Sequence, residues 1–297
     1  MEHVRLYERP ELRAPVLIAA FSGWNDAAAC ATSAVRLLVE QWRASKFADI
    51  DPEDFYDFSV NRPRVRLDDK LMRRLEWPAN EFYYYQAQDQ PHDFVFFLGQ
   101  EPSLKWRTFT SNITGLAKEL GVSHVVLAGA LIADVIHTMP VHLSGSSSDP
   151  EMRERMARLN ITSSRYEGPT GIVGTLTDRC GLDGLRAISI WGAVPHYIPT
   201  TPNPKVVASL LRHMRDLLGF DLELGDLETA ARRFEDQVTE AVNANEQLRD
   251  YIRERESKER EEEATEPMRM EDFPSGETVV RSLEEFLRQN RRQQPND

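Results

Sequence analysis

The chain has 297 residues, of which 41% are hydrophobic and 28% are charged, a balance typical of globular proteins and not of fibrous, low-complexity or disordered ones. No apolar run reaches the roughly 18–20 residues that a membrane-spanning helix needs, and the charged start of the chain lacks the apolar core of a signal peptide. Its two cysteines are too few for a disulfide framework, so we expect a protein of the reducing cytoplasm.

The net charge of −12 is concentrated in the C-terminal quarter. Residues 221–297 carry 12 basic and 22 acidic side chains, whereas residues 1–220 carry 24 and 26. A strongly acidic segment repels phosphate backbones, so we expect no nucleic-acid partner, and the absence of a long apolar run argues against a membrane. A solvated helix face explains most of this charge, and an acidic docking surface is the alternative.

Buried strands alternate with helices along the first 220 residues. Continuous apolar runs of strand length are typical of parallel strands that are covered on both faces. These runs span 15–21, 93–98, 124–128 and 187–191, and the predicted helices span 27–42, 105–120 and 204–218. The pattern predicts a three-layer α/β/α domain with a mostly parallel sheet.

Three further segments complete this domain. The β-formers at 55–60 and 81–85 predict strands at the edge of the sheet or in a hairpin. Residues 143–149 form the most loop-like internal stretch, and Asp149 followed by Pro150 is typical of a helix start.

After Gly219 the pattern changes to a heptad repeat, which predicts one helix about 40 Å long at 1.5 Å per residue. The repeat consists of Leu227, Ala231, Phe234, Val238, Ala241, Asn245, Leu248 and Ile252. Asn245 could fix the register or the number of partners. Such a helix forms a coiled coil, within a hairpin or between chains, or packs on its own domain; the sequence leaves both open.

We divide the chain accordingly. Residues 1–220 form the core domain and residues 221–266 a helical appendage, of which 253–266 is a charged extension. Residues 267–297 form a short amphipathic helix near 279–287 followed by a disordered tail.

The common catalytic and cofactor motifs are absent from the sequence. There is no phosphate-binding loop, no dinucleotide fingerprint and no nucleophile elbow. His137 and His142 are spaced poorly for a metal, so we predict neither a metal nor a cofactor.

Polar turns at the carboxyl ends of the predicted strands are the candidate sites, because open α/β sheets bind ligands there. The first turn is Gly23, Trp24, Asn25 and Asp26. Asn25 or Asp26 is placed to cap the next helix, and Trp24 is large enough to require a buried position.

The remaining turns leave a structural and a functional interpretation open. Glu101 and Arg107 could form a structural ion pair or clamp an anionic ligand. Gly168, Thr170 and Gly171 fit an anion at a helix start as well as a tight turn.

His196, followed by Tyr197, is an acid/base candidate, although a lone histidine in a Pro-rich loop is more often structural. Asn61 and Arg62 would add a positive charge to a shared cleft. We expect Asp26 and His196 to lie along the same edge of the sheet.

Taken in order, these segments resemble the bacterial branch of the proteasome assembly chaperone family, more narrowly its actinobacterial members. They are Gly23–Asp26, Asn61–Pro63, Glu101–Pro102 with Trp106–Arg107, Gly168–Gly171, and Pro195–Tyr197 with Asn203–Pro204. The resemblance covers roughly residues 5–260. It implies a domain similar to phosphorylase- and hydrolase-like folds, a helical appendage and homo-oligomers such as trimers. For eukaryotic and archaeal relatives it implies binding to proteasome α-subunits during assembly.

One feature departs from that family. Chaperones of this kind that dock on an assembled α-ring resemble one another in ending with a hydrophobic residue, tyrosine and any residue. This chain ends Gln294, Pro295, Asn296, Asp297, so we expect no docking through such a tail.

Two functions follow as expectations. The first is a non-catalytic, oligomeric, protein-binding assembly factor, with a trimer favoured and proteasome subunits as candidate partners. The second is a small-molecule-binding protein or an enzyme. Its cleft would be built from Trp24, Asn25, Asp26, Arg62, Glu101, Thr170 and His196.

Overall fold

A nine-stranded sheet forms the centre of the protein, in a computed structural model that describes residues 3–164, 166–198 and 202–263. The strands are β1 Val4–Leu6, β2 Val16–Ser22, β3 Ser45–Ile50, β4 Arg64–Leu67, β5 Arg73–Glu76, β6 Glu81–Tyr85, β7 Phe94–Gln100, β8 His124–Ala133, β9 Leu143–Ser147, β10 Thr162–Ser163 and β11 Ala187–Pro195. Their order in the sheet is β1-β3-β6-β7-β2-β8-β11-β9-β10, and β4 and β5 form a separate two-stranded sheet.

Seven α-helices occur in the described residues. They are α1 Cys30–Gln41, α2 Trp106–Glu119, α3 Pro150–Arg158, α4 Ile172–Leu182, α5 Pro204–Leu218, α6 Gly225–Asn243 and α7 Glu246–Glu263. A single 3-10 turn, Ala27–Ala29, precedes α1.

The sheet is parallel in its middle and antiparallel towards its edges. The four central strands β7, β2, β8 and β11 run parallel, whereas β6 and β9 flank them in the opposite direction. Along β2, Ile18 and Ala20 belong to the hydrophobic cluster that contains α1, α3 and α5, and Leu17 and Ala19 to the cluster that contains α2 and α4. Helices therefore cover both faces, which confirms the three-layer fold predicted from the two-sided apolar strands.

Two predicted edge elements are wrong. Residues 55–60 form turns instead of a strand, because Phe55 and Tyr56 are buried as anchors of a loop. Residues 143–147, predicted as a loop, form β9, which pairs antiparallel with β11. There the small residues fit, since a Cβ on Gly145 would lie 2.2 Å from the backbone oxygen of Ser189.

The predicted helix ends are confirmed. Asp149 accepts a hydrogen bond from the backbone N–H of Glu151 at 2.9 Å and caps α3. Asn203 accepts from the N–H of Lys205 at 3.1 Å and caps α5, which ends at Gly219 in the left-handed conformation with φ 73°.

The prediction of a single long helix after Gly219 is wrong, because the helix is interrupted between α6 and α7. The side chain of Asn245 accepts a hydrogen bond from the N–H of Leu248 at 3.1 Å and starts α7, so Asn245 does not lie on a continuous seam. Val242, rather than the predicted Ala241, is buried on α6, and it packs with Ile252 of α7 against Ile136.

Both C-terminal helices therefore pack on their own domain, the second of the two interpretations that the sequence left open. The predicted amphipathic helix at 279–287 lies outside the described residues, and the division into domains stays a prediction. No helix in the described part of the chain combines the length and the apolar character that crossing a bilayer would require.

Candidate functional site

The polar turns meet at the edge of the sheet where the parallel strands end. Asp26 forms a bridge with Ala130 of β8, and the N–H of His196 donates to the backbone oxygen of Ala133 at 3.2 Å. Ala130 and Ala133 are three residues apart on β8, so the turns that follow β2 and β11 lie along the same edge.

Asn25, Glu101 and the start of α4 form the closest polar cluster at this edge. Nδ2 of Asn25 donates to Oε1 of Glu101 at 2.7 Å, and the backbone N–H of Ile172 donates to the same oxygen at 2.9 Å. The carboxylate therefore caps the N-terminus of α4, where its negative charge interacts favourably with the positive end of the helix dipole. Asn25 is 1% exposed, and its Oδ1 has no hydrogen-bond donor among the described residues.

Two glycines allow this cluster to close. A Cβ on Gly171 would lie 2.3 Å from Oδ1 of Asn25, so any other residue would displace the amide. Gly23 has φ 123°, a backbone conformation that residues with a side chain rarely adopt. A Cβ at this position would lie 3.1 Å from Cβ of Glu101. The glycines are thus required by close approach and by backbone conformation.

Asp26 caps the first helix from a buried position. Its Oδ1 accepts from the N–H groups of Ala31 at 2.7 Å and Thr32 at 3.2 Å, and its Oδ2 accepts from the Thr32 hydroxyl. Burial raises the pKa of this carboxyl, and these hydrogen bonds oppose the rise. Ala28 and Ala29 before the helix have φ 51° and 49°, a strained pair for non-glycine residues that the capped turn holds in place.

The predicted pair of Glu101 and Arg107 is wrong. Glu101 bonds to Asn25 and to α4, whereas Arg107 is exposed on α2 and makes no ion pair with Glu101 within the described ranges.

The segment at Asn61 extends the edge towards β7. Nδ2 of Asn61 donates to Oγ of Ser103 at 2.9 Å, and its Oδ1 accepts from the side chain of Gln100. Arg62 is exposed and lies at the base of the hairpin formed by β4 and β5. Among the described residues Arg62 forms no ion pair with Glu101.

The loop before α4 is exposed as far as Thr170. Gly168 lies under the Tyr166 ring, and the hydroxyl of Thr170 sits over Gly174. The first N–H of α4 that would bind an anion is already bonded to Glu101. A second anion there would meet the negative charge of that carboxylate.

His196 and Tyr197 face the C-terminal helices. His196 is exposed, and its ring packs edge-on against Tyr197 and Tyr251 at centroid distances of 5.4 and 5.5 Å. The hydroxyl of Tyr197 accepts from the N–H of His137 at 2.7 Å and lies 2.9 Å from its Nδ1. These contacts connect the last strand to α7 and not to Glu101.

Trp24 is 61% exposed, and the expectation that it is buried is wrong. Asn25 and Asp26 take the buried positions of the turn and leave Trp24 on the solvent side. Three further large apolar side chains are exposed on segments that adjoin the strand ends or the start of α4: Leu104 between β7 and α2, Ile132 near the end of β8, and Tyr166 in the loop before α4. We call these three and Trp24 the rim patch.

The sequence did not single out Leu104 or Ile132, because an isolated leucine or isoleucine carries no motif.

Two cavities lie elsewhere. One of about 330 Å³ is lined by residues that include Arg5 and Trp77, and one of about 490 Å³ by residues that include Arg13 and Asp93. Neither is lined by the residues of the rim patch.

The two cysteines are buried, and burial raises the pKa of each thiol to about 12, so both stay protonated near neutral pH. Within the described residues there is no group of three or more His, Cys, Asp or Glu side chains suited to a metal ion.

Comparison with known families identifies the chain. The model of the PAC2 family matches residues 20–242, three quarters of the sequence. The chain belongs to the PAC2 family. A PAC2 family protein from Streptomyces avermitilis is 41% identical, with a TM-score of 0.73 over 80% of this chain and 99% of that one. The proteasome-assembly chaperone homologue Rv2125 of Mycobacterium tuberculosis is 38% identical, with the same TM-score and coverage.

An archaeal structure shares the fold at lower identity. PbaB of Pyrococcus furiosus, described as a proteasome activator, is 19% identical, with a TM-score of 0.63 over 81% of this chain and 99% of that one. Comparison with curated proteins gives no significant match. The family expected from the ordered turns is therefore confirmed, and the fold of this PAC2 protein is that of its relatives.

Proposed function

We propose that this PAC2 protein is a non-catalytic, homo-oligomeric assembly factor of the cytoplasm that binds proteasome subunits, with a trimer as the favoured state. The observation that carries the proposal is its 38% identity, over 99% of the relative's chain, to a proteasome-assembly chaperone homologue. The α-subunits are the partners that we favour.

The geometry of the sheet edge supports binding of a protein surface. Exposed large apolar and aromatic side chains are typical of protein-interaction sites, and the rim patch supplies four of them. Aromatic residues such as Trp24 and Tyr166 frequently dominate the energy of such contacts.

The alternative, a small-molecule site or an enzyme, has less support. The polar side chains Asn25, Asp26 and Glu101 bond to one another or to helix ends, and the two cavities open elsewhere. His196 lies towards α7, away from Glu101, which leaves the expected cleft without its acid/base group.

The test is capture of recombinant proteasome α-subunits from the same host by the immobilised full chain. We expect capture, and a loss of at least tenfold in affinity for the Trp24→Ala, Tyr166→Ala double variant. Leu182→Ala is the matched control, because Leu182 is 75% exposed at the opposite end of α4. Failure of the full chain to bind α-subunits would overturn the proposal.

A further inference from the structure

The hairpin of β4 and β5 projects from the domain, and with its flanks at residues 60–77 we call it the arm. Every residue of the two strands is exposed, so both faces of the hairpin are open to solvent. The exposed fractions of Val65, Leu67 and Leu75 are 56%, 60% and 59%. An isolated two-stranded hairpin is only marginally stable in water, and a group of exposed apolar side chains marks an interaction site. The arm therefore has the character of a binding element.

The two faces of the arm differ in chemistry. Val65 and Leu67 lie on one face, where Val65 pairs with Leu75 of β5. Arg64 and Arg66 lie on the other face, because successive side chains of a strand point to opposite sides. Strand β4 therefore alternates strictly between basic and apolar residues.

The outer edge of β4 can accept another strand. Within the described chain β4 pairs only with β5, so no strand lies along this edge. The N–H of Asp68 donates to the backbone oxygen of Met72 at 3.0 Å, and hydrogen-bonded pairs recur at every second residue of an antiparallel ladder. Residues 64 and 66 are therefore bonded to β5, whereas the N–H and C=O groups of Val65 and Leu67 point outward. Such an edge is a template for β-strand addition.

The same edge is basic. Arg64 makes no ion pair with any described residue, and Arg66 pairs with Glu76 of β5 at 2.7 Å. An exposed pair of this kind contributes little, so a carboxylate on a new neighbouring strand can compete for Arg66. Opposite charges on adjacent strands stabilise a sheet and like charges destabilise it. Two copies of β4 would bring arginine beside arginine, so an acidic strand from another protein is the better occupant.

We infer that the outer edge of β4 binds an extended segment of another protein in which acidic and apolar residues alternate. The backbone of the segment pairs with Val65 and Leu67, and its apolar side chains lie beside theirs. Its acidic side chains lie beside Arg64 and Arg66. This contact goes beyond the proposed function, because it uses the arm and not the rim patch.

The probe is a fluorescently labelled seven-residue peptide in which glutamate and valine alternate, and its counterpart carries lysine in place of glutamate. Fluorescence anisotropy with the full chain gives the dissociation constant of each peptide. We expect the glutamate peptide to bind at least about tenfold more tightly, and the difference to shrink as the salt concentration rises. In the Arg64→Gln, Arg66→Gln variant the preference for glutamate should disappear.

Two substitutions at Val65 test the backbone contact. Val65→Pro removes an outward-pointing N–H that the hairpin itself does not use, and proline is tolerated at an edge strand in this orientation. We expect the glutamate peptide to bind this variant at least about tenfold more weakly, because one hydrogen bond of the added strand is lost. Val65→Ile keeps the N–H and the branched apolar side chain, and it should bind like the wild type. Hydrogen exchange of residues 60–77 checks that the hairpin of each variant is intact.

Failure of the wild type to bind the glutamate peptide, equal affinity for the two peptides, or wild-type binding by an intact Val65→Pro arm would each overturn the inference. So would protection of the arm that grows with protein concentration in the absence of peptide, because a second copy would then occupy the edge. The Trp24→Ala, Tyr166→Ala variant should bind the glutamate peptide normally; if it does not, the peptide binds at the rim patch instead. No proteasome subunit is present in this assay, so its result is independent of the capture experiment.

Discussion

Gly171 packs so closely against Asn25 that adding one carbon atom, the Cβ of alanine, would disturb the packing at the sheet edge. In the Gly171→Ala variant the new Cβ would lie 2.3 Å from Oδ1 of Asn25, whose amide is buried and bonded to Glu101. With φ at −93° the backbone itself is unstrained. We expect a loss of about 1–3 kcal/mol in the free energy of unfolding, the usual cost of overpacking, measured by chemical denaturation.

Gly181→Ala in the same helix is the control. A Cβ there meets no atom within 4 Å, and alanine favours a helix over glycine by up to about 1 kcal/mol. We expect this variant to be as stable as the wild type or slightly more stable. Equal stability of the Gly171→Ala chain would show that Asn25 is free to move.

The sequence predicts which turns lie at this edge but not which side chains meet there. Asn25 and Glu101 follow strands that could be recognised, so their common edge was predictable. Their direct contact, and the capping of α4 by Glu101, depend on the order of strands in the sheet. The backbone of Ile172, which bonds to Glu101, lies 71 residues away in the chain, so closeness in sequence indicates Arg107 instead.

At the scale of whole elements, a strand or helix can be predicted from the sequence when its own residues determine it, and not when its partner in the fold does. Strands β2 and β7 are continuous apolar runs, so the sequence alone predicts them. The Ser- and Gly-rich β9 is a strand because β11 pairs with it, and the Arg-rich β4 and β5 lack the usual strand composition. The heptad repeat indicated a helix correctly but not its break at Asn245, where one side chain starts a new helix.

The docking of α6 on the loop after β8 depends on a neutral histidine. Nε2 of the buried His137 lies 3.1 Å from Oγ1 of Thr239 on α6, and Nδ1 lies 2.9 Å from the Tyr197 hydroxyl. Burial lowers the pKa of His137; Glu235 and Glu256 oppose the shift and Lys205 adds to it.

Because the unfolded chain binds the proton first, the stability contributed by neutral His137 falls as the pH drops through the ordinary histidine range near about 6.5. We expect the amides of α6 to lose protection from hydrogen exchange between neutral pH and pH about 5, more than those of α2. In the His137→Gln chain this extra loss should be smaller. An α6 protection that follows α2 at every pH would contradict the assignment.

At the scale of the whole molecule, the question is where the core ends. Phe220, Leu222 and Leu224 follow the last helix of the core and are buried in its main hydrophobic cluster. The ring of Phe220 lies 5.3 Å from that of Trp42 and 5.4 Å from that of Phe94. The change in sequence pattern predicts that the core ends at residue 220, whereas this burial leads us to predict that it extends to Leu224.

Two truncated chains test this. A chain ending at Leu224 and a chain ending at Gly219 both lack α6 and α7, so the difference between them isolates residues 220–224. We expect the shorter chain to be less stable by at least about 3 kcal/mol, the usual cost of removing one buried phenylalanine, and to melt at a lower temperature. Phe220→Ala in the longer chain should reproduce most of the loss, because Trp42 and Phe94 then face a cavity. Equal melting temperatures for the two truncated chains would place the end of the core at Gly219.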